Sequence, residues 1–527
     1  MMTAGYTIVP AVFFVFFAKI MVMKSKILLS FLFVVVLSVQ GFSQRYPFPQ
    51  HTEYYTHIKP RQYSQDQLDD KVRSYYDAWK AKYLINGCET NQYYVFFDSG
   101  NTNTVSEAMG YGMLIVPLMA GYDAEAKTIF DGLYHYYKAH PSHIMPHLMA
   151  WKQITGCKDS DGPDSASDGD IDIAFGLLLA HAQWGSAGAI NYFREAMLII
   201  NDLMGSNPSE GDINQDYFTV KLGDWVQSGH FMQGTRTSDF IMDHFRAFEC
   251  AAKDTNWNSV VNKCYDLVAD MQTNYSPETG LLPDFIDDVD DQAKPAEPNY
   301  LEGDLDGNYS YNACRDPWRL ATDYLIFADE RAKAAVIKIN RWLLESTGGS
   351  TNKVYAGYYL DGTRAVSWTD NSFTAPFAVG AMLDTANQEW LNKLFAKILL
   401  ASTANGGYYD NTLRLLSMIT ISGNYWVPDC DILNGISTKI ARPADRFMAY
   451  YSKTSGMLVL KVKPAFQGQS LKVTVSDILG RSVVKNTTIA HSKSELSLQN
   501  CPAGIYFVTI STQDGKLPET HKVIKDE

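Results

Sequence analysis

The stretch VSEAMGYGMLIVPLMAGYD, Val105–Asp123, combines a helical apolar pattern with one carboxylate near its start. Ser106 is a candidate cap for this helix, and Glu107 lies in its first turn. Gly110 and Gly112 stand where a helix prefers Ala, at a cost of about 1 kcal/mol each. The glycines therefore predict the close approach of a neighbouring helix or of a ligand. Glu107 has two interpretations: a charge that complements the helix dipole, or a general acid.

The same helical periodicity recurs on both sides of this stretch, over about 380 residues. We expect about twelve helices, starting near residues 67, 106, 124, 169, 189, 238, 256, 317, 331, 372, 387 and 409. Short turns alternate with long loops, which predicts helices in pairs. Six such pairs indicate a closed (α/α)6 barrel, and the lack of a fixed sequence period disfavours the alternative, an α-solenoid. A functional site is expected on the long loops, at 85–105, 140–168, 206–237, 273–316 and 346–371.

The N-terminus has the pattern of a secretory signal. A basic segment around Lys24 and Lys26 precedes the apolar run ILLSFLFVVVLSV and the small residues of GFSQ. An earlier apolar run lies upstream of a plausible start at Met21 or Met23. The alternative for that run is a membrane anchor, although about 17 residues with a proline are marginal for spanning a bilayer. Either interpretation predicts export, and we assign residues 1–43 to a signal peptide region.

The pattern changes near the C-terminus, where apolar residues alternate with period two from about Ser452. This predicts a small antiparallel β-sandwich at 446–527, after a helical domain at 44–445. The segment CPAGIYFVTISTQDGKLPETHKVIK resembles the C-terminal sorting domain of proteins exported by the type IX secretion system. The resemblance implies that the type IX machinery is a partner and that the protein is secreted or displayed on the cell surface. A carbohydrate-binding module is the alternative, weakened by the absence of tryptophan.

Composition restricts the possible partners. The 527 residues carry a formal net charge of −13, which argues against nucleic acid. Seven cysteines form no CxxC motif, and the sequence leaves their pairing open. The four histidines between residues 135 and 147 lack HExxH spacing, and no EF-hand pattern occurs. We therefore expect no metal and no cofactor, and we expect a monomer.

Two further stretches concentrate polar groups at helix starts. In SASDGDIDIAFGLLLAHA, three carboxylates, Asp168, Asp170 and Asp172, exceed what capping needs, so at least one is a candidate to face a ligand. In EPNYLEGDLDGNYSYNACRDPWRLATDYL, an acidic loop with Glu302 precedes a helix. Around that helix start lie Asn312, Arg315 and Arg319.

Taken together these stretches resemble glycoside hydrolase family 8. The family signature S-E-x-x-G-Y-G-M matches 106–113 at every fixed position, and the blocks SDGDIDIA, RTSDFIMDHFRAF and ACRDPWRLATDYL follow in the family's order. The resemblance covers about 400 residues. It implies an (α/α)6 barrel with an open groove that hydrolyses β-1,4-linked polysaccharides with inversion of configuration.

The resemblance also implies roles for individual residues. Glu107 matches the general acid, and Asp168 matches the aspartate that holds the sugar at the cleavage subsite. Many members place the general base where this chain has Asn312, and an amide has no useful basicity. The loop resembles the branch in which a loop glutamate is the base, which indicates Glu302, with Asp304 and Asp306 as the alternatives. Six more residues are predicted to bind substrate: Tyr111, Trp151, Asp239, Asn312, Arg315 and Arg319.

The sequence thus predicts a secreted, inverting endo-glycosidase that acts on a cellulose-like or mixed-linkage glucan. Chitosan is the close alternative, because the loop-glutamate branch contains chitosanases and acidic groups would attract its amines. Xylan is a weaker alternative. From another class, a non-catalytic glycan-binding protein at the cell surface remains, although no catalytic acid is missing. Polysaccharide lyases share the barrel, and fold alone does not decide.

Overall fold

The computed structural model describes residues 44–160, 162–434, 447–452, 457–462, 471–477, 481–489, 493–499, 501–512 and 519–525. The predicted signal peptide region, 1–43, lies outside the described residues. The chain divides into two compact units, Met1–Ile436 and Ser437–Glu527, and each is described by itself. The predicted boundary at 445/446 also falls in a stretch outside the described residues.

The described part of the first unit contains twelve helices of eleven or more residues. They are α1 Gln65–Tyr83, α2 Ser106–Leu118, α3 Ala126–Ala139, α4 Ser167–Trp184, α5 Tyr192–Met204, α6 Met242–Ala252, α7 Asn256–Asn274, α8 Asp316–Phe327, α9 Glu330–Thr347, α10 Asn371–Ala381, α11 Gln388–Leu400 and α12 Tyr408–Ile421. A short helix, α13 Cys430–Leu433, follows. Each long helix begins within four residues of its predicted start.

The twelve helices form an inner and an outer set. The even-numbered helices pack side by side in the order α2, α4, α6, α8, α10, α12, and each odd-numbered helix packs on the outside of an inner one. Three inner helices are buried almost all round: every residue is buried in α2 except Glu107, in α4 except His181, and in α10 except Asn371. Outer helices are amphipathic, as in α1, whose buried stripe includes Val72, Tyr76 and Trp79. This helix-rich arrangement is consistent with the predicted (α/α)6 barrel.

The glycines of α2 serve contacts between elements. A Cβ on Gly110 would lie 2.7 Å from Cβ of Asp172 on α4, and one on Gly169 of α4 would lie 2.4 Å from the Ser106 hydroxyl. A Cβ on Gly112 would lie 2.5 Å from Val95. A neighbouring helix and a neighbouring strand, and not a ligand, therefore account for these glycines.

The loops that precede the inner helices carry short antiparallel strands. These are β1 Leu84–Asn86 with β2 Tyr93–Val95; β3 Thr102–Val105 with β4 Lys152–Ile154 and β5 Lys158–Asp159; β6 Ile213–Asn214 with β7 Thr219–Val220; and β8 Thr235–Arg236 with β9 Phe285–Asp287 and β10 Lys294–Pro295. One disulfide, Cys88–Cys157, joins two of these loops. A second, Cys250–Cys430, joins α6 to α13.

The opposite end of the helical ring is covered by the extended segment 44–63. Its backbone amides at Arg45, Phe48, Tyr55 and Ile58 donate hydrogen bonds to carbonyls at or just beyond the C-terminal ends of α4, α2, α8 and α10. Tyr46 also stacks on Trp426, with ring centroids 4.4 Å apart. These contacts satisfy carbonyls that helix ends leave without partners, and they leave the N-terminal ends of the inner helices as the accessible side.

The second unit contains two antiparallel sheets. One has the order β11 Phe447–Ser452, β12 Met457–Val462, β15 Lys493–Ser497. The other has the order β14 Ser482–Ile489, β13 Leu471–Asp477, β16 Gly504–Thr512, β17 Glu519–Lys525. Buried side chains from both sheets form one apolar cluster, which includes Leu458, Leu460, Val473, Val508 and Ile510. The β-sandwich itself stays a prediction. Among all described residues, no helix is long and apolar enough to cross a membrane.

Candidate active site

The first turns of the inner helices meet around a cleft of about 440 Å³. Glu107 is the second residue of α2, Asp168 is the second residue of α4, and Arg315 directly precedes α8. Residues far apart in sequence therefore converge because the inner helices begin at the same end of the ring. The cleft lining includes Glu107, Trp151, Asp168, Arg236, Glu302, Tyr311, Asn312 and Tyr409.

Arg315 is the centre of the polar network beneath the cleft, and it is buried. Its Nη1 lies 2.8 Å from Glu107 Oε2 and 2.8 Å from Asp168 Oδ2. Its Nη2 donates to Asn312 Oδ1 at 2.9 Å and to Ser238 Oγ at 2.7 Å. A planar guanidinium with five donors can hold several acceptors in a fixed geometry, so Arg315 sets the relative positions of the acids.

Glu107 has the environment of a carboxyl group that keeps its proton. Burial raises its pKa to about 7, against the opposing charge of Arg315 and with support from nearby Asp168. The Tyr408 hydroxyl donates to Glu107 Oε1 at 2.9 Å, which orients the group from the last inner helix. A carboxyl with a pKa near neutrality can donate a proton at physiological pH.

Asp168 is held in the ionised state. Burial would raise its pKa, but the guanidinium groups of Arg236 and Arg315 bring the pKa below its usual value. Arg236 Nη2 lies 3.1 Å from Asp168 Oδ1, and Arg236 Nε donates to both oxygens of Asp239 at 3.0 and 3.1 Å. Sequence reasoning missed Arg236, although it begins the block RTSDFIMDHFRAF. Only its spacing of three residues from Asp239 could have indicated the pair.

Glu302 is the acid of the 296–307 loop that reaches the cleft. Its side chain is 50% exposed, and its Oε2 accepts a hydrogen bond from Asn312 Nδ2 at 2.9 Å. The alternative Asp306 is buried, and its carboxylate accepts from the backbone amides of residues 301, 302 and 303 at 2.7–2.9 Å. Asp304 is exposed, accepts from Asn299, and does not line the cleft.

Asn312 lies between two acids and a guanidinium. Its Nδ2 faces Glu302 and, at 3.5 Å, Asp284 Oδ2, while its Oδ1 accepts from Arg315. Asp284 is buried, accepts from the backbone amides of residues 310 and 313, and has a pKa raised to about 7 by burial. A third carboxyl at position 312 would face two others, so an amide suits the site. Asp284 was missed because its neighbours in sequence carry no motif.

The predicted substrate-binding residues divide into two layers. Trp151, Asp168 and Asn312 line the cleft, whereas Arg315, Tyr111, Arg319 and Asp239 are buried beneath it. Arg319 makes a bidentate contact with Asp172, at 3.1 and 2.6 Å. Neighbouring side chains contact polar groups of all four, and their direct binding of substrate stays a prediction.

The three aspartates at the start of α4 have different surroundings. Asp168 faces the cleft, Asp172 pairs with Arg319, and buried Asp170 accepts from the Met149 amide at 2.7 Å. Among the described residues no group of three or more His, Cys, Asp or Glu side chains could hold a metal ion. Two of the histidines pair with single aspartates instead, His140 with Asp159 and His147 with Asp202.

A partly buried acid with a pKa raised to about 7 and a half-exposed acid around one cleft fit the pair of carboxyl groups that glycoside hydrolases use, and the chain is of that class. Within that class the chain belongs to the glycosyl hydrolases family 8, which residues 71–423 match. Residues 454–526 match a secretion system C-terminal sorting domain, which indicates secretion to the cell surface or exterior.

Individual relatives agree with this assignment. A beta-glucanase of Niallia circulans is 47% identical over 72% of this chain and 91% of its own length. An endoglucanase of Bacillus sp. strain KSM-330 is 37% identical over 72% of this chain and 82% of its own. The apo structure of a beta-1,3-1,4-glucanase from Paenibacillus sp. X4 is 46% identical, with a TM-score of 0.70, over 73% of this chain and all of that one.

Proposed function

We propose that the protein is a secreted endo-β-glucanase that cleaves β-1,4 linkages with inversion, using Glu107 as general acid and Glu302 as general base. The observation that carries the proposal is the contrast between the two acids. Burial raises the pKa of Glu107 to about 7, and Glu302 is half-exposed on the cleft wall beside an amide. Two carboxyl groups with opposite protonation states are what an inverting glycosidase requires.

In the proposed reaction, Glu107 donates its proton to the oxygen of the departing sugar. Glu302 accepts a proton from a water molecule that attacks the anomeric carbon from the opposite face. Asn312 donates to Glu302 at 2.9 Å and so orients the base. Asp168 is held ionised by two guanidinium groups, so it is available to accept hydrogen bonds from sugar hydroxyl groups at the cleavage subsite.

Arg315 has a positioning role in this proposal. It touches Glu107 and Asp168 with one nitrogen and Asn312 with the other, so one side chain links the acid side of the cleft to the base side. Tyr111 accepts from Arg315 at 3.3 Å. Asp239 accepts from Arg236, which contacts Asp168. Arg319 pairs with Asp172, on the same helix as Asp168. We propose these three as positioning residues, and Trp151 and Asn312 as residues in reach of substrate.

A neutral glucan is the proposed substrate class, with mixed-linkage glucan first. The relatives described as beta-glucanase and beta-1,3-1,4-glucanase, at 47% and 46% identity, support this choice. Charge supports it too, because Arg315 and Arg236 lie against Glu107 and Asp168. Of the acids that line the cleft, only Glu302 is half-exposed. The cleft therefore attracts the amines of chitosan only weakly.

A reducing-sugar assay on mixed-linkage glucan, carboxymethylcellulose, chitosan and xylan tests the substrate class. We expect the highest kcat/KM on mixed-linkage glucan and little release from xylan. Proton NMR of the first product tests the stereochemistry, and the α-anomer should appear first from a β-linked chain. Early β-anomer would refute inversion, and preferred hydrolysis of chitosan would refute the glucan assignment.

A further inference from the structure

We propose that Trp368 forms a remote sugar-binding subsite, contiguous with the cleft through Tyr311, that binds glucose units of a long chain away from the scissile bond. The inference rests on the proposed function and extends it. Trp368 lies in the loop between α9 and α10, and its side chain is 54% exposed. Trp151 and Trp368 are the exposed tryptophans among the described residues, and Trp151 lines the cleft.

The backbone around Trp368 is held on both sides. Its carbonyl accepts from the Ala356 amide at 3.0 Å. Two residues later, the Asp370 carboxylate accepts from the Ser372 amide at 2.9 Å and so caps α10. The same loop pairs through Tyr358 with Tyr309, by hydrogen bonds of 3.0 and 2.9 Å, just before the cleft residues 311 and 312. An exposed ring on a fixed backbone is a preorganised surface.

The side chain of Trp368 is oriented by a chain of hydrogen bonds. The indole Nε1–H donates to the Tyr311 hydroxyl at 3.3 Å, and that hydroxyl donates to Asp370 Oδ2 at 3.3 Å. Tyr311 also packs edge-on against Phe373, with centroids 5.2 Å apart. Because Tyr311 lines the cleft, its hydrogen bond to the indole connects Trp368 to the cleft through one side chain.

The chemistry of this surface fits a neutral sugar. A single exposed hydrophobic residue needs no explanation. An oriented indole beside a cleft, however, exposes apolar surface to water, and a bound ligand that covered this surface would gain favourable free energy. An aromatic face stacks on the C–H groups of a pyranose ring, and the neighbouring Asp370 carboxylate is an acceptor for hydroxyl groups. A depression of about 580 Å³ begins at the residue after Trp368, and its mixed polar and apolar lining includes Thr369, Asp370, Asn371, Lys393 and Lys397. It leaves space for further sugar units.

The test is Trp368→Ala, measured on a ladder of β-glucan oligosaccharides from trimer to hexamer and on the soluble polymer. We expect KM for the polymer to rise about three- to tenfold, the size of one aromatic contact, with kcat nearly constant. On the trimer we expect a much smaller change in kcat/KM. Trp368→Phe keeps an aromatic ring without the indole N–H, and its KM for the polymer should lie between those of the wild type and Trp368→Ala.

Tyr55→Ala is the matched control, because Tyr55 is 53% exposed and its amide donates to Leu325 near the C-terminal end of α8, the end away from the cleft. It should change no kinetic constant. Equal losses of Trp368→Ala on trimer and polymer, or no loss on either, would overturn the inference. If the wild-type protein hydrolyses no β-glucan, the proposed function fails instead. Calorimetric binding of the hexamer to Glu107→Gln, with and without Trp368→Ala, then still decides the role of Trp368.

Discussion

At the scale of single residues, the two proposed catalytic acids differ through their surroundings and not through their chemistry. Glu107 is enclosed by α2, α4 and α12, so its carboxyl loses hydration and retains its proton. Glu302 extends from a loop and remains half in contact with solvent. The fold thus places two identical side chains in different surroundings, one enclosed with a raised pKa and one half-exposed, and acid and base catalysis at one pH depends on such a difference.

Glu107→Gln should fold normally and lose about 10²- to 10⁴-fold in kcat, the usual range for a general acid. The wild-type enzyme should lose activity as pH rises through about 7, because the acid must be protonated and its pKa is raised to that value. Circular dichroism checks folding, and the pH dependence of kcat/KM checks the acid limb. A folded variant with near-normal turnover would exclude Glu107 as the acid.

Glu302→Ala should abolish hydrolysis, because water attack needs a proton acceptor and Asn312 can only orient the base or the water. Sodium azide should restore cleavage of an aryl glycoside with a good leaving group, since a small anion can occupy the space of the missing carboxylate. Asn312→Ala should weaken activity less. The assignment of the base would be wrong if Asn312→Ala were the more damaging change, or if azide had no effect.

At the scale of elements, the loop that carries Glu302 is organised by one buried carboxylate. Asp306 accepts hydrogen bonds from three consecutive backbone amides, at residues 301 to 303. It therefore fixes the position of the backbone from which the Glu302 side chain extends. This arrangement compensates for the exposure of the loop. A half-exposed general base needs such an anchor, because its distance from the attacking water must stay constant.

Asp306→Asn should reduce kcat about tenfold or more and leave KM little changed, because an amide keeps the volume but loses part of the acceptor capacity. Asp304→Asn is the matched control, since Asp304 is exposed in the same loop and accepts only from Asn299. Steady-state kinetics on mixed-linkage glucan separate kcat from KM. Equal effects of the two substitutions would contradict an anchoring role for Asp306.

The contact between α2 and α4 leads to a prediction opposite to helix propensity. Gly110→Ala should gain about 1 kcal/mol from propensity, but its Cβ would lie 2.7 Å from Asp172 Cβ and 3.0 Å from the Gly169 carbonyl. We expect a net loss of about 1–3 kcal/mol in the free energy of unfolding. Gly188→Ala, which meets nothing within 4 Å, is the control. Thermal melting of both variants checks this, and a stabilised Gly110→Ala would contradict the close packing.

At the scale of the whole molecule, catalysis and secretion belong to different units. The first unit contains the cleft and its own hydrophobic core, and the described strands of the second form a separate apolar cluster. The family 8 match and the sorting-domain match fall in the first and second unit respectively. Hydrolysis should therefore not depend on the second unit.

A shortened protein covering residues 45–450 should fold and keep at least about half of the kcat of the full chain, because a unit with its own core can fold alone. The full chain should be secreted, and a chain that keeps the signal region but lacks the sorting domain should not reach the cell surface or the medium. Activity of the purified protein and fractionation of the producing cells measure the two effects. A shortened protein that does not fold would show that the boundary is wrong.

Helix periodicity and the signature block were sufficient to predict much of this protein. All twelve long helices begin within four residues of the starts predicted from apolar spacing. The block S-E-x-x-G-Y-G-M indicated the family, and the family match confirms it. The amide at position 312 pointed to Glu302 as the base, an assignment that stays a prediction.

Only the tertiary structure decided which polar groups meet. Asp168, Asp170 and Asp172 look equivalent in the sequence, yet the ring turns one to the cleft, one to a backbone amide and one to Arg319. Asp284 and Trp368 could not be found from local pattern, and Arg236 only from its spacing to Asp239, because each contacts residues that lie in other parts of the chain. Periodicity records which face of a helix is buried. The pKa of Glu107 depends instead on charges and desolvation supplied by four separate loops and helices, which meet only in the folded chain.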